Sequence, residues 1–140
     1  MKTYLSLGSN LGNREETIHK AIACIEAQVG AVIRRSAFYY SAPWGFESEH
    51  EFCNLCVCVE TTLDPLVLLH RLQAIERELG RTPHSTAPTR TYEDRTIDID
   101  IILYEHITIT TPELTIPHPL YQQRDFVLTP LHEIYTDYAL

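Results

Sequence analysis

The stretch RTIDIDIIL, Arg95 to Leu103, constrains the fold more than any other part of the chain. Ile97, Ile99, Ile101 and Leu103 alternate with other residues, the period of a β-strand with one face in a core. The even positions carry Asp98 and Asp100. Strands are depleted in Asp, and two residues along a strand place the pair about 7 Å apart on one face. Like charges at that range resist burial. A solvated edge strand would tolerate the pair. A divalent metal site would use it: Mg²⁺ takes one or two carboxylates and fills its shell with water and phosphate oxygens. The metal reading is preferred, because the apolar alternate face anchors the strand and holds both carboxylates rigidly.

The rest of the pattern supplies a frame for that strand. Residues 2–8 read as a first strand ending at Gly8, followed by the turn SNLGN. Asn13 is placed to cap a helix, with Glu16 three residues on as in a capping box. Ile18, Ala21, Ile22 and Ile25 carry that helix to about Gln28, and Gly30 stops it. Residues 31–40 and 52–62 form a second and third strand. Asp64 caps a second helix with Pro65 at its first position, and Gly80 ends it. The fourth strand is 96–104. This βαββαβ order predicts an α+β fold, a ferredoxin-like antiparallel sheet with helices packed on one face. The other face then needs a cover, and a closing helix from about Asp125 to Ile134 supplies one. The loops at 41–51 and 81–95 are long for so short a chain, a length that often accompanies function.

A chain of 140 residues, 44% hydrophobic, suits a single domain over 1–140 with one real core. The formal net charge of −8 argues against a nucleic-acid partner. No apolar run reaches membrane-spanning length, and MKTYLSLGSN lacks a secretory pattern, so a cytoplasmic protein is expected. The sequence points to no protein partner. Cys53, Cys56 and Cys58 lie in one apparent strand, Cys53 on one face and the other two on the opposite one; with Cys24 they read as buried reduced thiols rather than metal ligands.

Lys2 and Lys20 are the only lysines, and no GxxxxGK[ST] string occurs. A phosphate site must therefore use Arg, which grips phosphate bidentately. Arg81, Arg90 and Arg95 belong to the connection that delivers the Asp strand, and Arg124 follows later. Singly, each also reads as ordinary surface Arg. Trp44, the only tryptophan, sits in the loop SAPWGF, and Phe52 and Asn54 share a strand face. An aromatic slot with one amide suits a flat heterocycle, whereas a loop anchor is the plain alternative for Trp44. His118, between two prolines, binds phosphate or caps a turn. Glu76 lies among apolar helix neighbours, where a charged helix surface explains it equally well.

In order along the chain, YLSLGSNLGN, SAFYYSAPWG, EFCNLCVCVET, LLHRLQAIERELGR, RTIDIDIILY and LTIPHPLYQQRDFVLTPL resemble the 6-hydroxymethyl-7,8-dihydropterin pyrophosphokinases of folate biosynthesis. GSNLGN and R-x-x-D-I-D-I are the most specific parts, and the match runs from residue 4 to about 134. The resemblance implies transfer of pyrophosphate from ATP to the pterin hydroxymethyl group, with release of AMP. It implies two Mg²⁺ ions on Asp98 and Asp100. It places Ser41, Trp44, Phe52, Asn54 and Phe126 around the pterin, with both Phe rings stacking and Asn54 reading the edge. It places Gln73, Glu76, Arg81, Tyr92, Arg95, Ile101, Thr115, His118 and Arg124 around ATP, with Arg95 and Arg90 counted with the Asp pair as catalytic. The chain departs from the family at several points. Phe52 replaces a common Tyr, Tyr92 stands where Trp is familiar, and Glu113 occupies a place where some members have Arg near the nucleotide. A palm-type nucleotidyl transferase or cyclase, releasing pyrophosphate, and a non-catalytic ferredoxin-like ligand-binding module are the rival readings. The first leaves the APWGF slot without purpose and the second leaves Asp98 and Asp100 idle.

Overall fold

The computed structural model describes residues 1–10, 12–42, 51–80 and 97–135. Strand β1 (Lys2–Ser9) leads through a turn, where Gly12 takes φ +66°, into helix α1 (Arg14–Gln28). Asn13 caps that helix as expected: its side chain accepts the Glu16 N–H at 3.1 Å. Strands β2 (Gly30–Arg35), β3 (Tyr39–Ser41) and β4 (Phe52–Thr61) follow, then helix α2 (Pro65–Glu78) and strand β5 (Asp98–Tyr104). A short hairpin of β6 (Ile109–Thr110) and β7 (Thr115–Ile116) precedes a 3-10 turn at Tyr121–Gln123. Helix α3 closes the described chain at Asp125–Ile134, the bounds read from the sequence.

The main sheet runs β2-β4-β1-β5, with β3 also on β4, and every pairing is antiparallel. Helices α1 and α2 cover one face. Their Ile18, Ile22, Ile25, Leu68, Leu72 and Ile75 pack on Leu5, Leu7, Val57, Ile99 and Ile101. Helix α3 covers part of the other face, with Val127, Leu131 and Ile134 on Tyr4, Cys56, Cys58, Ile102 and Leu103. Each of those three helix side chains contributes roughly 1.5–3 kcal/mol by leaving water. The Arg34 guanidinium donates to the Ile134 carbonyl at 3.3 Å, and Glu133 accepts the Ala37 N–H at 3.0 Å. The cysteines divide as the alternation requires, Cys53 under α1 and α2, Cys56 and Cys58 under α3. Burial pushes the Cys56 thiol up to about 12, so it stays protonated.

Two expectations are corrected and one is met in part. The strand expected at 31–40 is two strands, because the Ser36 hydroxyl, rather than a ladder carbonyl, takes the Cys56 N–H at 3.0 Å. Asp64 holds the N-cap position of α2 ahead of Pro65, as expected, but its side chain makes no cap hydrogen bond. The apolar face expected to run unbroken from Ile97 to Leu103 switches sides. The β1–β5 register shifts at Tyr4/Leu5, and Leu103 joins Ile102 beneath α3 while Tyr104 turns to the other core. A bulge of this kind inserts one residue and re-aims the side chains after it.

Gly30 opens β2 against β4. A Cβ there would lie 1.9 Å from the Glu60 carbonyl oxygen, a backbone atom that cannot swing away. Gly30→Ala should therefore cost about 1–3 kcal/mol or more by overpacking. A thermal melt reads this, and an unchanged Tm would mean that the β2–β4 contact is looser than described.

Candidate active site

The face of the sheet under α3 changes character along β1. Paired residues in an antiparallel ladder share a face, so the register writes out three rows. Cys58, Tyr4 and Leu103 form an apolar row beneath the helix. Cys56, Ser6 and Asp100 form the next, and Asn54, Gly8 and Asp98 the one after. The carboxylates thus stand where the helix cover gives way, on the same face as the amide of Asn54. Adjacent strands are about 4.8 Å apart, so one strand, β1, separates the amide from the carboxylates. Gly8 is the shared neighbour. A Cβ on it would meet Asn54 Oδ1 at 3.0 Å and Phe52 at 3.6 Å. The sequence reading singled out Asn54, Phe52 and both Asp residues but missed Gly8; its only signal was a glycine ending an otherwise apolar strand.

At the slot end, Asn54 is buried. Its Nδ2 donates to the Tyr39 carbonyl at 3.1 Å and to Ser41 Oγ at 2.9 Å. The Tyr39 carbonyl can only accept, so exchanging Asn54 Oδ1 and Nδ2 would lose that bond and the amide orientation is fixed. Phe52 is half-buried opposite Ser41. Phe126 is half-buried in the first turn of α3, with the Arg124 guanidinium 5.7 Å from its ring centre. That turn starts beside the Cys56–Ser6–Asp100 row, where the Cys56 thiol meets the Val127 carbonyl at 3.6 Å. Arg124 itself is buried, and burial lowers its pKa from the usual guanidinium value.

At the carboxylate end, β5 is the sheet edge. Glu76, on α2, is 5% exposed, and its Oε2 accepts the Ile99 N–H at 2.7 Å. The charged-surface reading of Glu76 is therefore corrected. The residue reaches the strand backbone between Asp98 and Asp100 and satisfies an edge donor there. Gln73, one turn earlier, is exposed. Beyond Ile102 the strand edge is met by the 115–118 segment, whose His118 N–H donates to the Ile102 carbonyl at 3.0 Å. The His118 ring does what the turn reading required: Nδ1 accepts the Leu120 N–H at 3.2 Å. That leaves Nε2 to carry the proton of the neutral ring. Burial lowers the His118 pKa, and the Asp98 charge opposes this. Both roles expected for His118 are thus open to one ring, a turn cap at Nδ1 and a donor at Nε2.

A cleft of about 240 Å³ brings Asp100, Ile101, Thr115 and His118 together with Leu69 and Glu113. These include four of the residues assigned to ATP or metal. Trp44, Arg81, Arg90, Tyr92 and Arg95 lie outside the described residues. Among the described residues no group of three or more His, Cys, Asp and Glu side chains gathers to hold a metal alone. A pair of hard oxygen donors on a rigid strand, both partly exposed, fits Mg²⁺ that completes its shell with water and phosphate oxygens. No helix among the described residues is long and apolar enough to cross a membrane.

Paired carboxylates beside a cleft, one strand from an amide and an aromatic ring, are chemically suited to metal-assisted phosphoryl transfer. The family model described as 7,8-dihydro-6-hydroxymethylpterin-pyrophosphokinase (HPPK) matches residues 4–136. A Porphyromonas gingivalis protein named 2-amino-4-hydroxy-6-hydroxymethyldihydropteridine pyrophosphokinase is 48% identical over 132 residues, 94% of this chain and 88% of its own. The Bacillus subtilis protein of that name is 39% identical, over 94% of this chain and 76% of its own. A solved Plasmodium falciparum HPPK-DHPS with pteroate superposes with a TM-score of 0.77 at 17% identity, a likeness of fold. It covers 99% of this chain, which spans 39% of the Plasmodium one. The chain belongs to the HPPK family.

Proposed function

We infer that this chain transfers the pyrophosphoryl group of ATP to the hydroxymethyl group of 6-hydroxymethyl-7,8-dihydropterin, giving the pterin diphosphate and AMP in folate biosynthesis. The observation that carries the reading is the pair of rows on one sheet face, Asn54–Gly8–Asp98 and Cys56–Ser6–Asp100. They set a heterocycle reader one strand away from a metal-binding pair. The family match and the named relatives support it. We further propose that the strand order β2-β4-β1-β5, with its two crossover helices, is a ferredoxin-like arrangement, and that residues 1–140 work as a single domain.

The roles follow from chemistry. Asp98 and Asp100 hold Mg²⁺, two ions in this proposal, which when bound neutralises phosphate oxygens and draws charge from the phosphorus. Glu76 fixes the strand that carries them. Phe52 and Phe126 stack on the faces of the pterin and Trp44 belongs to the same slot, while Asn54, held by Tyr39 and Ser41, reads its edge. Ile101 and Thr115 line the nucleotide cleft, and Gln73, Arg81 and Tyr92 contact ATP in this proposal. His118 donates to phosphate through Nε2. Arg124, Arg95 and Arg90 neutralise charge on the group being transferred. The pterin oxygen attacks the β-phosphorus, its proton is lost, and the α–β bridging oxygen leaves with AMP. Positioning supplies much of the rate in such a transfer, so no strong base is required.

Titration calorimetry tests the division into two subsites. The unaltered protein should bind both a non-hydrolysable ATP analogue and the hydroxymethyl pterin. Asn54→Leu should weaken the pterin by roughly tenfold to a hundredfold, the value of one or two buried hydrogen bonds, and leave the nucleotide bound. Equal weakening of both ligands would contradict a separate pterin slot.

A further inference from the structure

The turn between β6 and β7 brings a carboxylate, Glu113, to the lining of the cleft that holds Asp100 and His118. Thr111 locks that turn: its N–H and its hydroxyl both donate to the Leu114 carbonyl, at 3.0 and 2.9 Å, and its hydroxyl accepts the Leu114 N–H at 2.9 Å. Glu113 rides on it. Its Oε2 lies 2.6 Å from Nε2 of His70 on α2, both side chains being about half exposed. Among the described residues its second oxygen has no hydrogen-bond partner. Two different kinds of carboxylate therefore line one cleft. Asp100 has Asp98 beside it, a pair suited to a divalent cation. Glu113 has only a histidine, and no third ligand joins them among the described residues. A lone carboxylate repels phosphate and accepts O–H and N–H donors. Its neighbours Leu69, Ile101, Pro112 and Leu114 are apolar.

The cleft volume of about 240 Å³ falls short of the roughly 300–1,000 Å³ that holds a whole drug-sized ligand. It takes one end of a nucleotide. Charge then orients ATP, with the triphosphate at Asp98 and Asp100 and the nucleoside at Glu113. A nucleoside offers one feature that a carboxylate grips well, its vicinal hydroxyls, as acidic residues do for ribose in dinucleotide sites. Resting on the nucleotide reading of this cleft, we propose that Glu113, positioned by His70, receives the ribose hydroxyls of ATP and selects ribonucleotide over deoxyribonucleotide. His70 acts through Glu113: it removes the rotamer freedom that a half-exposed Glu would otherwise lose on binding.

The experiment compares ATP with 2′-deoxy- and 3′-deoxy-ATP, both in steady-state turnover with the hydroxymethyl pterin and by calorimetry with non-hydrolysable counterparts. For the unaltered protein, loss of either hydroxyl should raise KM and Kd about tenfold, the worth of one charge-assisted hydrogen bond. Glu113→Ala should raise the values for ATP to those for the deoxy forms, so that the ratio falls to near one, with the change in KM rather than kcat. His70→Ala should shrink the ratio part of the way, and His70→Gln, whose amide still donates to Glu113, should restore it. Equal affinity for ribo- and deoxyribonucleotide in the unaltered protein, or an undiminished ratio in Glu113→Ala, overturns the assignment. If nucleotide binds and no pterin diphosphate forms, the pyrophosphokinase reading fails while the binding ratio still decides the role of Glu113.

Discussion

Asp98→Asn and Asp100→Asn should each lower turnover by at least about a hundredfold, because charge stabilisation by a bound metal is worth several kcal/mol and each 1.36 kcal/mol is tenfold in rate. Both residues are partly exposed on the last strand of the sheet, and neither belongs to either apolar core. An amide of the same shape keeps the strand and its pairing with Ser6 and Gly8. Their melts should therefore match or exceed the original, since one of two like charges has been removed. Activity at several Mg²⁺ concentrations and a thermal melt check this together. Near-normal turnover at ordinary Mg²⁺ in either variant would remove the metal assignment. A collapsed melt would instead make the pair structural.

Glu76→Ala should damage both stability and rate, and for a different reason. Glu76 belongs to neither the slot nor the carboxylate pair, yet its Oε2 takes the N–H of Ile99, the residue between the two Asp positions. Removing it leaves a buried edge donor without its acceptor, at a cost of about 1–3 kcal/mol. It also frees the strand that must hold both carboxylates steady. Groups that support metal ligands typically cost about tenfold to a hundredfold when removed, and a fall of that size in kcat is expected here. Glu76→Gln is the informative companion. Its amide oxygen still accepts from Ile99, so it should recover much of the melt and of the rate. If Gln and Ala behave alike in both measurements, Glu76 acts through its charge, not through this bond.

The parts of the molecule that were legible in its sequence are those governed by local pattern. Helix α3 fell on Asp125–Ile134 because its apolar spacing and its flanking polar turn are local signals. Asn13 announced its cap for the same reason. The Asp pair was legible because acidic residues interrupt an otherwise apolar strand. What stayed hidden depends on contacts between distant residues. The bulge that sends Leu103 beneath α3 arises from register with β1. The break between β2 and β3 rests on a Ser36 hydroxyl reaching Cys56, 20 positions away. Glu76 stood out among apolar helix neighbours, but its bond to the Ile99 N–H joins residues 23 positions apart and leaves no local signal. The β6–β7 hairpin, which no hydrophobic alternation marks, is closed by a threonine that caps its own turn. Gly8 matters only because β4 and β5 flank it.

The claim that this fold transfers a pyrophosphoryl group rests on which phosphorus of ATP is attacked. ATP labelled at the β-phosphate, incubated with Mg²⁺ and the hydroxymethyl pterin, answers it directly. The label should move to the pterin, and unlabelled AMP should appear in equal amount. In the proposed mechanism Asp98 and Asp100 would hold the metal that neutralises phosphate oxygens, and the Arg residues would neutralise the pyrophosphoryl group in transfer. Label recovered in ADP would make the protein a γ-phosphoryl kinase, and label in free pyrophosphate would make it a nucleotidyl transferase or cyclase; either result contradicts the account.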